Sequence, residues 1–180
     1  LLLKTIYSTL TGALGALAAW LVLDGLISSA LGFQPVNPYL DAVINGSLVG
    51  LCVGVAVSGF AGLMEFKPLP VIKGVAVGFF AGLFGGMIGL LIGEAFYQFL
   101  GGGVLLRIVG WAIFGVSIGV ADGLLAFSIR RILYAGIGGL LGGALGGAAF
   151  SALSLFSNLP NTTRALGFTM VGAFIGLFVG

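Results

Sequence analysis

The chemistry open to this chain depends on a few ionisable side chains that interrupt long apolar stretches. Five acidic and seven basic residues occur among 180, and histidine is absent. Asp122 lies in the apolar segment GVADGLLAFSIRR, about two helical turns before Arg130 and Arg131. An ionisable group inside a bilayer costs about 2.5 to 3.5 kcal/mol, so it needs a partner or a function. Asp122 with these two arginines is therefore a candidate intramembrane polar site.

Two interpretations of Asp122 are open. The functional one is a cation or proton site inside a helix bundle, with Asp122 beside Gly119 and Gly123 on the narrow face of its helix. The structural one is an ion pair with a Lys or Arg whose long side chain snorkels from the membrane surface. We favour the ion pair because Asp122 is close in sequence to the basic end of its segment.

A second group of charges lies near the opposite ends of the apolar segments. Asp24 and Glu94 come late in two segments, whereas Arg107 and Arg164 begin two others. We expect the two carboxylates to pair with these arginines at the membrane surface. The equivalent place in a third segment holds no carboxylate, so a ring of three acidic side chains that selects cations is not expected.

These residue types do not indicate an enzyme. Without histidine, the chain lacks an imidazole ligand for zinc or haem and the usual base of a serine or cysteine protease. Cys52 is the sole cysteine and lies in an apolar run. Glycine spacings such as G-x-G-x-x-G occur without a preceding strand or a basic residue, so they predict no phosphate-binding loop. We expect no catalytic residue, no metal and no cofactor.

The sequence around these charges has the composition of an integral membrane protein. Apolar residues make up 59% of the chain and charged residues 7%, whereas soluble domains carry about 25% charged residues. Spanning a hydrocarbon core takes about 20 helical residues. We therefore predict an all-α integral membrane fold with six transmembrane helices. The predicted spans are residues 5–27, 42–64, 72–98, 107–128, 131–156 and 164–180.

Glycine spacing groups the six segments into three similar pairs. The fourth begins RIVGWAIFGVSIG and the sixth begins RALGFTMVGAFIG, at a constant offset of 57 residues, and the third matches the fifth at an offset of 60. This predicts three tandem two-helix repeats, at about residues 1–64, 72–128 and 131–180, in a single transmembrane domain. Parallel repeats of this kind suggest a pseudo-threefold bundle. We also expect residues 1–180 to be part of a longer chain.

Small residues recur at every fourth position in these segments, which places them on one face of each helix. Glycine lets helix backbones approach closely in lipid, where no hydrophobic effect drives helices together. The glycines expected at such glycine-zipper contacts are Gly50, Gly54, Gly78, Gly82, Gly86, Gly115, Gly119, Gly138, Gly142, Gly146, Gly172 and Gly176.

The basic residues are divided unequally between the two sides of the predicted membrane domain. One side has only Arg107 and Arg164, and Trp20 and Trp111 near the same helix ends favour the membrane interface there. The positive-inside rule makes the other side cytoplasmic. With six spans, both termini then face the cytoplasm, and a bacterial inner membrane is the expected location. The five basic residues on that side are Lys4, Lys67, Lys73, Arg130 and Arg131.

The stretches GWAIFGVSIGVADGLLAFSIRRILYAGIGGLLGGALGGAAF and RALGFTMVGAFIG resemble the polytopic membrane region of bacterial proteins that carry a forkhead-associated (FHA) domain. The resemblance is clearest over residues 105–180 and rests on glycine and apolar residues. It implies a cytoplasmic phosphopeptide-binding module after the last span. No part of an FHA domain occurs in residues 1–180, so the resemblance assigns phosphothreonine binding to none of them.

The function expected from these features is that of a non-enzymatic membrane module. It would anchor or scaffold a cytoplasmic signalling domain, or serve as a subunit of a larger membrane complex. Membrane lipid and other membrane subunits, or copies of the same chain, are the expected partners, and a net charge of +2 is too small for nucleic acid. The alternative is a channel or transporter, which the repeats suggest but the scarcity of polar residues in the segments disfavours.

Overall fold

The computed structural model describes residues 2–32, 35–63, 68–125, 128–156 and 160–179, and these form helices and short connections with no strand among them. The prediction of an all-helical fold is confirmed. Six helices follow one another, the first continued by a π-helical segment, Leu21–Ala30. They are α1 (Leu2–Trp20), α2 (Pro38–Leu63), α3 (Pro68–Phe99), α4 (Val104–Leu125), α5 (Ile129–Phe156) and α6 (Pro160–Val179).

Five helices are long and apolar enough to cross a membrane, when the described residues alone are considered. The prediction of an integral membrane protein is therefore confirmed in its coarse form. In α4 the apolar stretch over the described residues is shorter, Val104–Val120, so that helix does not meet the same length criterion. The five stretches are Thr5–Ala30, Pro38–Phe60, Leu69–Phe99, Ile132–Leu153 and Asn161–Val179.

The six helices form a closed ring. Each helix packs against the next one in the chain, and α6 packs against α1. Neighbouring helices run antiparallel: Gly15 of α1 contacts Cys52 of α2, whereas Tyr7, two turns earlier, contacts Phe60, two turns later. Helices α2, α4 and α6 also contact one another. These three helices therefore surround the axis of the ring.

The apolar core lies along this axis. Its fully buried large side chains come from the three inner helices, with Val49 and Val53 on α2, Phe114 on α4, and Val171 and Ile175 on α6. From outside the three inner helices, the described residues that join the same buried cluster are Ala16 and Ala19 of α1 and Leu23 of the π-helical segment. The inner helices therefore meet through branched aliphatic and aromatic side chains, which fill the space between them.

The outer helices place their glycines toward both neighbours. In α5, a methyl group added at Gly142 would lie 2.7 Å from the carbonyl oxygen of Phe174 in α6. One added at Gly147 would lie 2.6 Å from Cβ of Trp111 in α4. Real Cβ atoms essentially never come within 3.0 Å of such neighbours, so no side chain fits at either position. The large apolar side chains of α5 point outward instead, as exposed Leu140 shows.

The end of the first span differs from the prediction. A continuous α-helix was expected up to residue 27, but the π-helical segment replaces it after Trp20 and contains Asp24. Ser29 donates a hydrogen bond from Oγ to the carbonyl oxygen of Asp24, at 2.5 Å. Gly32 follows the segment with a φ of 64°, a conformation that glycine adopts without strain. The chain can therefore turn sharply after the first span.

We expect Gly142→Ala to lower the free energy of unfolding by about 1–3 kcal/mol, because the added methyl group must push α6 away from α5. Thermal unfolding in detergent measures the loss. Gly25→Ala is the matched control, since a methyl group at Gly25 has no neighbour within 4 Å. Equal effects of the two substitutions would show that the α5–α6 contact does not determine stability.

Candidate functional site

An ion pair joins the first span to the last. Arg164, near the start of α6, places Nη1 3.3 Å from Oδ1 of Asp24. The Asp24 side chain is only 12% exposed, whereas that of Arg164 is 41% exposed. Asp24 Oδ2 is buried and has no hydrogen-bond donor among the described residues. The carboxylate therefore relies on Arg164 to compensate the loss of water.

Hydrogen bonds extend this ion pair to α2. Arg164 also donates from Nη2 to Oδ1 of Asn45, at 3.4 Å. Asn45 in turn donates from Nδ2 to Oδ1 of Asp41 at 2.7 Å and to the Asp41 carbonyl oxygen at 2.8 Å. Asp41 lies in the first turn of α2, where the helix dipole stabilises a negative charge. One polar network thus connects the π-helical segment after α1 with α6 and α2 at the same end of the ring.

The other two residues predicted to form surface ion pairs lie at this end as well. Gln98 donates from Nε2 to Oε1 of Glu94 at 2.6 Å. The guanidinium carbon of Arg107 lies 5.1 Å from the centre of the Tyr97 ring, which is a cation–π distance. Within the part of the chain that the structure describes, no ion pair within 4.0 Å joins Arg107 to a carboxylate. The structure therefore pairs Asp24 with Arg164, and among the described residues neither Glu94 nor Arg107 forms an ion pair.

These residues surround a cavity of about 680 Å³ at the end of the ring where α2, α4 and α6 begin. We call it the vestibule. Its walls come from α2 to α6, and the N-terminal ends of three helices there each contribute a partial positive charge. The polar rim is formed by Asp41, Asn45, Glu94, Gln98, Arg107 and Arg164, and the aromatic floor by Trp111, Phe150 and Phe168.

The aromatic floor is a compact cluster. Ring centres of Trp111 and Phe150 lie 5.7 Å apart, those of Trp111 and Phe168 lie 6.0 Å apart, and those of Phe150 and Phe168 lie 5.8 Å apart. Such separations are favourable for aromatic pairs. The expected place of Trp111 at the membrane interface is wrong, because its side chain is buried in the core cluster. It faces the axis because α4 is an inner helix.

Local chain geometry brings the rim together. Asn37 accepts a hydrogen bond at Oδ1 from the backbone N–H of Tyr39, and Pro38 occupies the first position of α2, so this helix has a regular start. Between α3 and α4, Gly101, Gly102 and Gly103 all have positive φ values. This short turn returns the chain next to α3, so Glu94 and Arg107 reach the same cavity.

The vestibule ends at the apolar core. Along α4, Trp111 in the floor is followed by buried Phe114 and Ile118, and along α6, Phe168 is followed by Val171 and Ile175. Hydroxyl groups farther along the helices donate to carbonyl oxygens of their own helix; Ser117 bonds to Ile113, for example, at 2.9 Å. Over the part of the chain that the structure describes, the polar surface therefore does not continue from the vestibule along the axis.

The predicted polar site at the opposite end is described only in part. Arg130 is exposed at the start of α5. The side chains of Asp122 and Arg131 lie outside the described residues, as do those of Lys4 and Lys67. No contact is therefore assigned to Asp122, and both interpretations of this residue stay predictions.

Three features of the vestibule were not predicted from the sequence. Asn45 and Gln98 were passed over, although each stands four residues after a carboxylate, the spacing at which side chains meet on a helix. The aromatic floor combines residues from three helices, and no sequence spacing signals that.

Among the described residues, no group of three or more potential metal ligands occurs.

Comparisons of the chain with models of protein families, with curated proteins and with solved structures found no match. The geometry of the vestibule and the packing of the helices are thus the observations from which a function can be argued.

We expect Arg164→Gln to destabilise the protein by about 1–3 kcal/mol, because it leaves the buried Asp24 carboxylate without its cation. Asp24→Asn should cost less, since the half-exposed Arg164 keeps Asn45 and water. Thermal unfolding of both variants and of the double variant gives the coupling free energy. Lys73→Gln, at an exposed position of α3 at the opposite end of the ring, is the control and should change stability little. Strictly additive effects would contradict the coupling.

Proposed function

We propose that this protein is a non-enzymatic membrane module that acts as a scaffold or as a subunit of a larger membrane complex. The observation that carries the proposal is the filled axis of the ring. Val53, Phe114 and Val171 are buried together between the inner helices, so the described residues show no continuation of the vestibule through the bundle. A chain built to pass solutes needs polar groups along its path, and the described interior contains few.

The surface of the ring supports a role in lipid or subunit contacts. Large apolar side chains are exposed around it, for instance Phe80 and Phe84 on α3 and Leu141 on α5. In lipid these side chains need no further cover, and in a complex they offer contact area to other membrane subunits or to copies of this chain. These are the partners that we propose.

We further propose that the chain contains three two-helix repeats held by glycine contacts. In support, glycines meet glycines across every second interface around the ring, and one further glycine pair, Gly93 with Gly110, meets across α3 and α4. Corresponding glycines of these pairs lie 57 to 66 residues apart along the chain; Gly54 and Gly115, for example, are 61 residues apart. The three pairs are Gly54 with Gly78, Gly115 with Gly139, and Gly172 with Gly12.

We propose a bacterial inner membrane location, with the vestibule on the outer side and both termini in the cytoplasm, and with α4 as a sixth span. The support is the excess of basic residues at the end that carries Arg130, opposite the end that carries Arg107 and Arg164. The resemblance to FHA-carrying membrane proteins adds the proposal of a cytoplasmic signalling domain. Sequencing the gene beyond the codon for Gly180 tests that addition directly.

A channel or transporter is the second candidate, and one observation favours it. The vestibule is polar at its rim and lies where the three inner helices converge, as the entrance of an axial path would. For transport, the packed layer of Phe114, Val171 and Ile175 would have to separate. Asp122 would then be the candidate ion site farther along α4.

We expect the purified protein in liposomes to conduct neither ions nor small solutes, because the axial apolar layer leaves no wetted path. Ion flux measured with fluorescent indicators checks this, with protein-free liposomes as the baseline. As a positive control, Phe114→Gly removes the largest side chain of the layer and should raise leakage. A wild-type flux that Asp122→Asn abolishes would favour the channel and overturn the scaffold.

A further inference from the structure

We propose that the vestibule binds an amphiphile with a zwitterionic head group. Arg107 takes the anionic group, Glu94 takes a primary ammonium group, and the aromatic floor takes the apolar body. This inference goes beyond the scaffold function and does not depend on it, since it concerns what the protein holds rather than what it assembles with. Its basis is a carboxylate and a guanidinium group, Glu94 and Arg107, that line one cavity and form no ion pair within the described residues.

The charged side chains at the vestibule fall into two pairs that differ in their contacts with the protein. Asp24 and Arg164 form an ion pair with each other and are joined by Asn45 to Asp41. Glu94 and Arg107 also line the cavity, but no ion pair connects them in the described part of the chain. They are thus the two charged groups most open to a ligand.

Separate protein contacts support each of these two side chains. Gln98 donates a hydrogen bond to Oε1 of Glu94, and the Tyr97 ring lies against the guanidinium group of Arg107. Both contacts come from α3, the helix that carries Glu94. Arrangements of this kind keep charged groups in place before a ligand arrives, which lowers the entropic cost of binding.

The helix contact beneath these charges fixes their relative positions. Glu94 follows Gly93, and Arg107 lies about one turn before Gly110. A methyl group added at Gly93 would lie 2.5 Å from the Cα atom of Gly110. The two helices are therefore in backbone contact at this level, and the anion-binding and cation-binding groups stand on adjacent helices at one side of the cavity.

The size and lining of the vestibule fit an amphiphile. A volume of about 680 Å³ is within the usual range of small-molecule sites, about 300–1,000 Å³. The floor of Trp111, Phe150 and Phe168 offers aromatic surface for an acyl chain or a ring, below a rim that carries both signs of charge. Glu94 and Asp41 would repel a purely anionic ligand, and Arg107 would repel a purely cationic one. A ligand that carries both charges therefore fits this lining best.

The same chemistry has two possible sources, a membrane phospholipid or a soluble amino acid with an apolar side chain. Fluorescence of Trp111 in the floor distinguishes them. Because the chain has two tryptophans, a Trp20→Phe background leaves Trp111 as the reporter. Lysophosphatidylethanolamine tests the lipid source and phenylalanine the soluble one, each titrated into the protein in maltoside micelles. There are two comparison ligands. Lysophosphatidylglycerol lacks the ammonium group, and lysophosphatidylcholine has an ammonium group without an N–H bond.

We expect lysophosphatidylethanolamine or phenylalanine to bind saturably. If the ligand is a lipid, lysophosphatidylethanolamine should bind with at least about tenfold higher affinity than either comparison lipid. Arg107→Gln and Glu94→Gln should each weaken binding by about tenfold. Arg130→Gln makes the same change at the opposite end and should leave binding unchanged. Thermal unfolding confirms that each variant is folded, and Arg107→Lys should restore part of the affinity.

Three results would overturn the proposal. One is no saturable binding of either zwitterionic probe to the folded protein. Another is equal affinity for lysophosphatidylglycerol together with no effect of Glu94→Gln, which would mean a site for anions alone. The third is an equal loss of affinity in Arg107→Gln and Arg130→Gln, which would assign the signal to general attraction of lipid to the protein surface.

Discussion

Contact between helix backbones is the constraint on which the rest of this structure depends. Lipid offers no hydrophobic drive for helices to associate, so close packing has to supply the attraction. At Gly142 and Gly147 of α5, an added methyl group would meet atoms of α6 and α4 at 2.7 Å and 2.6 Å. Because glycines stand on two faces of the same helix, each outer helix can have two close neighbours, which a ring of six requires.

Closure of the ring determines where polar groups can lie. Inner helices α2, α4 and α6 fill the axis with side chains such as Val53, Phe114 and Val171. Among the described residues, the charges that face inward lie where the inner helices begin and the packing opens, because a charge inside the apolar layer would lose its hydration without compensation. The vestibule is the consequence, with its aromatic floor resting on the packed layer.

The polar network has a structural part and an open part. Asp24 and Arg164 join the first and last spans, which is where a ring made from one chain must close. Glu94 and Arg107 line the cavity from α3 and α4, supported by Gln98 and the Tyr97 ring rather than by each other. One half of the rim thus stabilises the fold, and the other half is available to a ligand.

The sequence by itself determined the helical class, the membrane character and the approximate positions of the helices, because apolar length and charged breaks are local properties. It also grouped Asp24, Glu94, Arg107 and Arg164 at one end of the predicted spans, and the structure places all four at the same end of the ring. Only the tertiary structure decided that Arg164 is the partner of Asp24, that Glu94 and Arg107 stay apart, and that Trp111 is buried. Those outcomes depend on which helices become neighbours and which lie inside the ring, and spacing along one chain does not encode that.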